Sequence, residues 1–156
     1  MTNFDPQSAS GAEGLSPARF AASEEMVLFP ADFPGIDELI EFFWRAAESG
    51  LSCWGYDSKK MNIHLSLHEA VVNAWKHGNQ QRPDLAITLR WRFASAVTFE
   101  ILDAGQGFSR QTQSEPFTPG RIAAESGRGL FIIRFCADRV RWQKNGSHII
   151  LTFAHP

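Results

Sequence analysis

The sequence predicts a single α/β domain, and three observations lead to this prediction. With 156 residues, the chain is long enough to bury a hydrophobic core without disulfides or metal ions. Two segments in its first half show the apolar spacing of amphipathic helices. Two further stretches show apolar residues grouped around short connections, which is typical of β-hairpins. Helices and strands are therefore expected to share one core.

The N-terminal part of the chain is predicted to contain a leader, a strand and a helix. Residues 1–18 are rich in Ser, Ala, Gly and Pro and are expected to form a flexible leader, with one folded domain over residues 19–156. A short strand is predicted from Glu24 to Phe29. The helix that follows is expected to end at Gly50, because the residues before it show helical spacing of apolar side chains: Ile36, Leu39, Ile40, Phe43 and Ala47.

A second helix and a β-hairpin are predicted next. The helix is expected from about Lys60 to His77, with Gly78 as its stop signal. Alternation of apolar and polar residues then predicts strands over Leu85–Phe93 and Val97–Ile101, joined by a short Ala-Ser-Ala connection. The second strand leads the chain directly to Asp103.

The last third of the chain is predicted to form a loop, a helix and a second hairpin. Periodicity is lost from Ala104 to about Ser126, and a loop of this length within a compact domain is usually functional. A helix is predicted to begin after the glycine pair Gly127 and Gly129. The closing hairpin is expected to turn at Asn145-Gly146, because these residues accept the positive φ angles of a tight turn.

The second predicted helix carries a contiguous polar face. At about 3.6 residues per turn, Glu69, Asn73, Lys76 and His77 lie together, opposite an apolar face made of Ile63, Leu67, Val71 and Ala74. Such a polar face is by default a solvated surface. Two glycine-containing segments later in the chain, taken with their order, favour a ligand site instead.

The first of these segments, Asp-Ala-Gly-Gln-Gly-Phe, begins at Asp103. Its carboxylate can accept a hydrogen bond from an amine, and its glycines let a ligand approach the backbone closely. The alternative is a glycine-rich turn capped by Asp. The second segment, Gly127–Ile133, would place free backbone N–H groups at a helix start, where phosphate binds favourably; the alternative is a flexible helix entry. The order of these elements is more specific than any one of them.

Composition argues against several other functions. The net charge of −2 gives no basic surface for nucleic acid, and no apolar run approaches the ~20 residues of a membrane-spanning helix. Cys53 and Cys136 form no disulfide or metal motif, so a cytoplasmic protein is expected. His64 and His68 have the spacing of a zinc pair, but no third ligand is evident and structural roles are expected. The chain also has no phosphate-binding P-loop.

Three motifs together resemble a known superfamily. E-x-x-x-N-x-x-K-H over Glu69–His77, D-x-G-x-G-F over Asp103–Phe108 and G-x-G-L over Gly127–Leu130 look like the N, G1 and G2 boxes of the GHKL ATPases. The chain length and the strand-helix-helix beginning are similar to the anti-sigma-factor serine/threonine kinases of that superfamily. The resemblance covers roughly residues 20–154. It implies the Bergerat fold, a two-layer α/β sandwich whose mixed, mostly antiparallel sheet has helices on one face.

The resemblance also implies ATP and Mg²⁺ as cofactors and assigns roles to individual residues. Asp103 would bind the adenine amino group, Asn73 would coordinate Mg²⁺, and Glu69 would be the catalytic base. The other implied residues are Gly105 and Gly107 as the lid hinge, Gly127 and Gly129 as backbone donors to the triphosphate, and Lys76, His77, Arg121 and Arg128 as phosphate partners. The chain departs from the family in having Ser147 where Thr is common, and in a lid, with Glu115, Pro116 and Phe117, that matches no known pattern.

By the same resemblance, the protein is expected to sequester a sigma factor and to phosphorylate a STAS-domain antagonist, and so to regulate transcription. One alternative is an ATP-binding module that sequesters its partner without turnover. Another is a histidine-kinase fragment, which the lack of a helical hairpin with a phosphoacceptor histidine disfavours. A homodimer is also open, for which Trp44, Trp54 or Trp75 could supply a surface. Nucleic acids and membranes are not expected as partners.

Overall fold

The computed structural model describes residues 23–105 and 125–156, which form five strands and three helices. The strands are β1 (Ser23–Leu28), β2 (Ile87–Phe93), β3 (Ala96–Asp103), β4 (Arg139–Gln143) and β5 (His148–Ala154). The helices are α1 (Ile36–Cys53), α2 (Lys60–Asn73, continued by a π-helical turn over Ala74–Gly78) and α3 (Glu125–Cys136). Their order along the chain is the predicted one. The predicted leader lies outside the described residues, and no described helix is long and apolar enough to cross a membrane.

The five strands form one sheet in the order β1-β2-β3-β5-β4. Each pairing between described neighbours is antiparallel, so the described part of the sheet contains no parallel pair. The three helices pack on one face of this sheet. The predicted α/β sandwich with two layers is therefore confirmed, with the sheet antiparallel where the resemblance allowed a mixed one.

The core lies between the sheet and the helices. Three rows of buried apolar side chains cross the sheet from β2 through β3 to β5: Leu89, Ile101 and Ile149; Trp91, Phe99 and Leu151; Phe93, Val97 and Phe153. Buried residues of all three helices complete the core, among them Phe43 of α1, Leu67 of α2 and Ile133 of α3. Burying each such side chain contributes about 1.5–3 kcal/mol, so the alternation predicted for β2 and β3 fixes which face the helices cover.

The predicted end of α1 and the predicted start of β2 are wrong, and specific side-chain contacts explain both. α1 continues past Gly50 to Cys53. Gly50 is instead the point at which α1 touches the ring of Phe93, because a β-carbon there would lie 2.6 Å from Phe93 Cε2. β2 begins at Ile87 rather than Leu85, since the carbonyl groups of the two preceding residues accept hydrogen bonds from Asn79 Nδ2, at 3.0 and 3.1 Å.

The tryptophans considered as a partner surface pack against the domain's own core. Trp44, Trp54 and Trp75 are all partly buried against it. The centroid of the Trp44 ring lies 4.6 Å from that of His64, and Trp54 stacks on Phe93 with 5.8 Å between centroids. Their buried parts therefore contribute to the stability of the domain.

Candidate functional site

Asp103 lies at the end of the buried face of the sheet. In β3, Phe99 and Ile101 point towards the helices, and the two-residue period of a strand places Asp103 next on that face. Its partner in β2 is the fully buried Ile87. Its backbone N–H donates to the carbonyl oxygen of Ser147, just before β5, at 3.0 Å. The carboxyl group is thereby held between the sheet and α2.

A narrow, mainly apolar pocket opens beside Asp103. It has a volume of about 20 Å³ and is lined by residues of α2, α3 and the sheet: Ala70, Asn73, Ala74, Ile101, Asp103, Leu130, Trp142, Gly146 and Ile149. Apolar walls with one polar group at the rim suit a flat heterocycle, because the walls contact the faces of the ring and the polar group can form a hydrogen bond with its edge.

Burial sets the protonation of this polar group. Loss of water raises the pKa of Asp103 to about 6, and the backbone N–H of Gly105, which donates to Asp103 Oδ1 at 2.9 Å, opposes that rise. At neutral pH the carboxyl group is therefore mostly ionised and acts only as an acceptor. It is thus suited to a ligand that presents an amine.

The turn after Asp103 packs closely against the end of α2. A β-carbon at Gly78 would overlap the Asp103 carboxyl group, and one at Gly105 would overlap the carbonyl oxygen of Gly78, so this close approach requires glycine at both positions. The buried side chain of Asn79 adds a hydrogen bond, because its Oδ1 accepts from the N–H of Ala104 at 2.9 Å. The backbone N–H of Asn79 closes the π-helical turn by bonding five residues back, at 2.7 Å. From the sequence, these residues were predicted only to end the helix.

The polar face of α2 lines an open cleft of about 710 Å³. The four residues predicted for this face, Glu69, Asn73, Lys76 and His77, all border the cleft, and the opposite residues Ile63, Leu67, Val71 and Ala74 are buried. Glu69 and Asn73 are partly buried, whereas Lys76 and His77 are exposed. The prediction of a polar face opposite an apolar one is confirmed.

The cleft and the Asp103 pocket adjoin each other. Asn73 lines both, and Arg128 of α3 contributes a third basic side chain to the cleft beside Lys76 and His77. The two spaces together offer an acceptor in an apolar slot and, beyond Asn73, a wider space bordered by Lys76, His77 and Arg128 and by the carboxylates of Asp37 and Glu69. This arrangement suits an elongated anion with an aromatic, amine-bearing end.

Gly129 brings α3 into close contact with α2 in this cleft. A β-carbon at Gly129 would lie 2.6 Å from Glu69 Oε2 and 3.6 Å from Asn73 Nδ2. The predicted start of α3 after the glycines is wrong, because the helix begins at Glu125. Unpaired N–H groups belong to the first turn of a helix, and Gly127 falls in that turn. Gly129 lies deeper in the helix, where glycine costs about 1 kcal/mol relative to alanine and where a β-carbon would crowd the Glu69 carboxylate.

Some predicted residues cannot be placed in this site, and others have different contacts. Gly107, Arg121 and the lid residues from Glu115 to Phe117 lie outside the described residues. The hydroxyl of Ser147 donates to the carbonyl of Lys144 at 2.9 Å and so supports the hairpin turn before β5.

The histidines that resemble a zinc pair have carboxylate neighbours on α1. His64 Nε2 lies 3.4 Å from Glu41 Oε1, and His68 Nε2 lies 3.4 Å from Asp37 Oδ1. Within residues 23–105 and 125–156, no three His, Cys, Asp or Glu side chains are grouped so that they could hold a metal ion.

Comparison with known families identifies the class of protein. The sequence matches the family model described as "Histidine kinase-like ATPase domain" over residues 37–153, which covers the three helices and four of the five strands except for the first residue of α1 and the last residue of β5. The chain therefore belongs to this family of GHKL-type ATP-binding domains. A search of curated proteins found no match.

The residues of the site fit the ATP that the family implies. The ionised Asp103 is a suitable acceptor for an exocyclic amine, and the apolar walls beside it suit a purine ring. Asn73, between the pocket and the cleft, offers an amide oxygen, which is a ligand type that Mg²⁺ accepts alongside phosphate oxygens. The basic side chains of the cleft would lie around the phosphates.

Proposed function

We propose that this protein is an ATP-dependent protein serine/threonine kinase that also acts as an anti-sigma factor. The observation that carries the kinase proposal is the position of Glu69. Its carboxylate is partly buried in the cleft, one helical turn from Asn73 and in contact distance of Gly129 in α3. A carboxylate at that place can take a proton from a hydroxyl that approaches the phosphate end of the site.

Each residue of the site then has a defined part in the reaction. Asp103 binds the adenine amino group, and Asn73 holds Mg²⁺. Lys76, His77 and Arg128 hold the phosphates, which keeps the nucleotide in position and balances its charge. Bound Mg²⁺ supplies additional neutralisation of phosphate charge.

The reaction transfers the terminal phosphoryl group of ATP to the hydroxyl oxygen of a serine or threonine. The bond from phosphorus to the bridging oxygen of ADP breaks, the new bond to the hydroxyl oxygen forms, and the hydroxyl proton passes to Glu69. Positioning and electrostatic stabilisation account for most of the acceleration in such reactions. A positioned base adds about 10²–10⁴-fold.

The proposed partners follow from the resemblance of the three motifs to anti-sigma-factor kinases. We propose that the protein sequesters a sigma factor, and that a STAS-domain antagonist is the substrate whose serine or threonine is phosphorylated. A second copy of the chain is a further proposed partner. The net charge of −2 is consistent with protein partners rather than nucleic acid.

The test uses radiolabelled ATP and a purified STAS-domain protein as the acceptor. Wild-type protein should transfer label to a serine or threonine of that acceptor. Glu69→Gln keeps the size of the side chain and removes the base, so transfer should fall by about 10²-fold or more while Mg-ATP still binds. If wild-type protein binds ATP and its partner but transfers no label, the proposed kinase activity is wrong and the protein is a binding module without turnover.

A further inference from the structure

The cleft contains a histidine that the proposed mechanism does not use. His68 precedes Glu69 on α2 and borders the same cleft. Its Nδ1 lies 3.7 Å from Glu69 Oε1, and its Nε2 lies 3.4 Å from Asp37 Oδ1 in the first turn of α1. Asp37 borders the cleft as well. The imidazole ring therefore stands between a carboxylate of α1 and the carboxylate assigned as the base.

We propose that His68 is a positioning residue for Glu69 and that Asp37 orients its ring. The inference rests on the proposed function of Glu69. In its protonated form the imidazole carries an N–H on each nitrogen and attracts both carboxylates, whereas the neutral ring has a single N–H and can donate to only one of them. Held in this way, the Glu69 carboxylate has fewer orientations available and keeps the one that faces the cleft, which preserves the geometry that proton transfer needs.

Because these side chains are exposed, a positioning role of His68 can be distinguished from a contribution to the stability of the domain. The Asp37 side chain is 77% exposed and that of His68 is 38% exposed, against 26% for Glu69. Pairs between exposed charges contribute little to the free energy of unfolding, because water screens them. Removal of His68 should therefore leave the melting temperature nearly unchanged and lower the turnover rate.

The same helix supplies a matched control. His64 lies one turn before His68, and its Nε2 is also 3.4 Å from a carboxylate of α1, that of Glu41. His64 does not border the cleft, and its ring packs against Trp44 instead. His64 and Glu41 thus place an imidazole of α2 and a carboxylate of α1 at the same distance as His68 and Asp37, but away from the residues that line the cleft.

The experiment compares His68→Ala, His68→Asn, His64→Ala and Glu41→Gln in the full chain. Mg-ATP affinity is measured by calorimetry and phosphate release from Mg-ATP in single-turnover kinetics, with water as the acceptor. His68→Ala should lower the rate about tenfold with little change in affinity. His68→Asn should recover most of the rate, because its amide nitrogen replaces Nδ1, and the two control variants should match wild type. The proposal would be overturned if His64→Ala lowered the rate of phosphate release as much as His68→Ala does, or if His68→Ala did not lower that rate.

A second measurement keeps the inference testable if the protein proves to have no turnover. Nitrogen-15 chemical shifts of the imidazole rings report on each ring nitrogen separately. Glu69→Gln should shift the Nδ1 resonance of His68, Asp37→Asn should shift its Nε2 resonance, and the resonances of His64 should stay in place. Absence of label transfer to the protein acceptor with these shifts present would refute the kinase proposal alone. Absence of the shifts would refute the positioning role of His68, whatever the turnover.

Discussion

Replacing Asp103 by asparagine should make the free protein more stable and the complex with ATP weaker. The substitution removes the charge and keeps a side-chain oxygen that can accept the hydrogen bond from Gly105 N–H, which is 2.9 Å long in the wild type. Burial raises the pKa of Asp103 from 3.8 to about 6 in the folded protein. The folded state therefore holds this proton more tightly than the unfolded state does, and its stability falls as the pH rises from about 4 to about 6, with the full loss present above pH 6.

The size of the effect follows from the pKa shift. A rise of about two units, at 1.36 kcal/mol per unit, sets an upper limit of about 3 kcal/mol on the cost of ionisation. Asp103 is only partly buried, so solvent screening reduces this to about 1 kcal/mol. For a domain of this size, 1 kcal/mol corresponds to a change in melting temperature of about 2–4 °C.

Thermal unfolding of the free protein as a function of pH tests this reasoning. Asp103→Asn should melt about 2–4 °C above wild type at pH 7.5. The gap should close between about pH 6 and pH 4, because below that range the wild-type carboxyl group is protonated in both states. Asp84→Asn is the control: Arg82 holds the pKa of this exposed carboxyl group below its usual range, so no gain is expected. A variant at Asp103 that melts below wild type at pH 7.5, or a gap that persists at pH 4, would refute the reasoning.

Three further predictions concern other contacts of the site. Gly129→Ala should leave the melting temperature nearly unchanged but displace the Glu69 carboxylate, so the rate of phosphoryl transfer should fall in kinetic assays. In a Glu69→Gln background, Gly129→Ala should cause no further loss of that rate. Asn79→Ala should lower the free energy of unfolding by about 3 kcal/mol in urea titrations, because it breaks three buried side-chain hydrogen bonds; a loss below 0.5 kcal/mol would contradict their role. Asn73→Ala should weaken ATP binding in calorimetry with Mg²⁺ present and have little effect in EDTA, whereas equal weakening in both would exclude Asn73 as a metal ligand.

Local patterns were sufficient to predict most of the fold. The alternation in β2 and β3 predicted the buried rows of the sheet, and the helical period of α2 separated Leu67 and Val71 from Glu69 and Asn73. These patterns work because each side chain's direction is set by its own strand or helix. The wrong boundaries arose where a long-range contact decides the outcome, as at Gly50, which is held against Phe93.

The residue types of the candidate site were predictable from the sequence. The contacts between those residues were less predictable. Asp103 and the polar face of α2 follow from motif and period, but the locking of Gly78 and Asn79 against the turn after Asp103 depends on residues about 25 positions apart. The position of Asp37 beside His68 likewise depends on how α1 lies against α2. Contacts between distant segments are set by packing of the whole domain, and a single sequence carries little local sign of them.

The central claim is that the Asp103 pocket and the cleft of α2 form one site for ATP, and comparison of ATP with GTP by calorimetry tests it most directly. ATP presents an amine to the Asp103 carboxylate, whereas GTP presents a carbonyl oxygen, which leaves two acceptors facing each other. With Mg²⁺ at pH 7.5, wild-type protein should bind ATP at least about 100-fold more tightly than GTP, and Asp103→Asn should narrow that ratio, because an amide can donate as well as accept. Equal affinities for ATP and GTP in the wild type, or a ratio that Asp103→Asn leaves unchanged, would contradict the account.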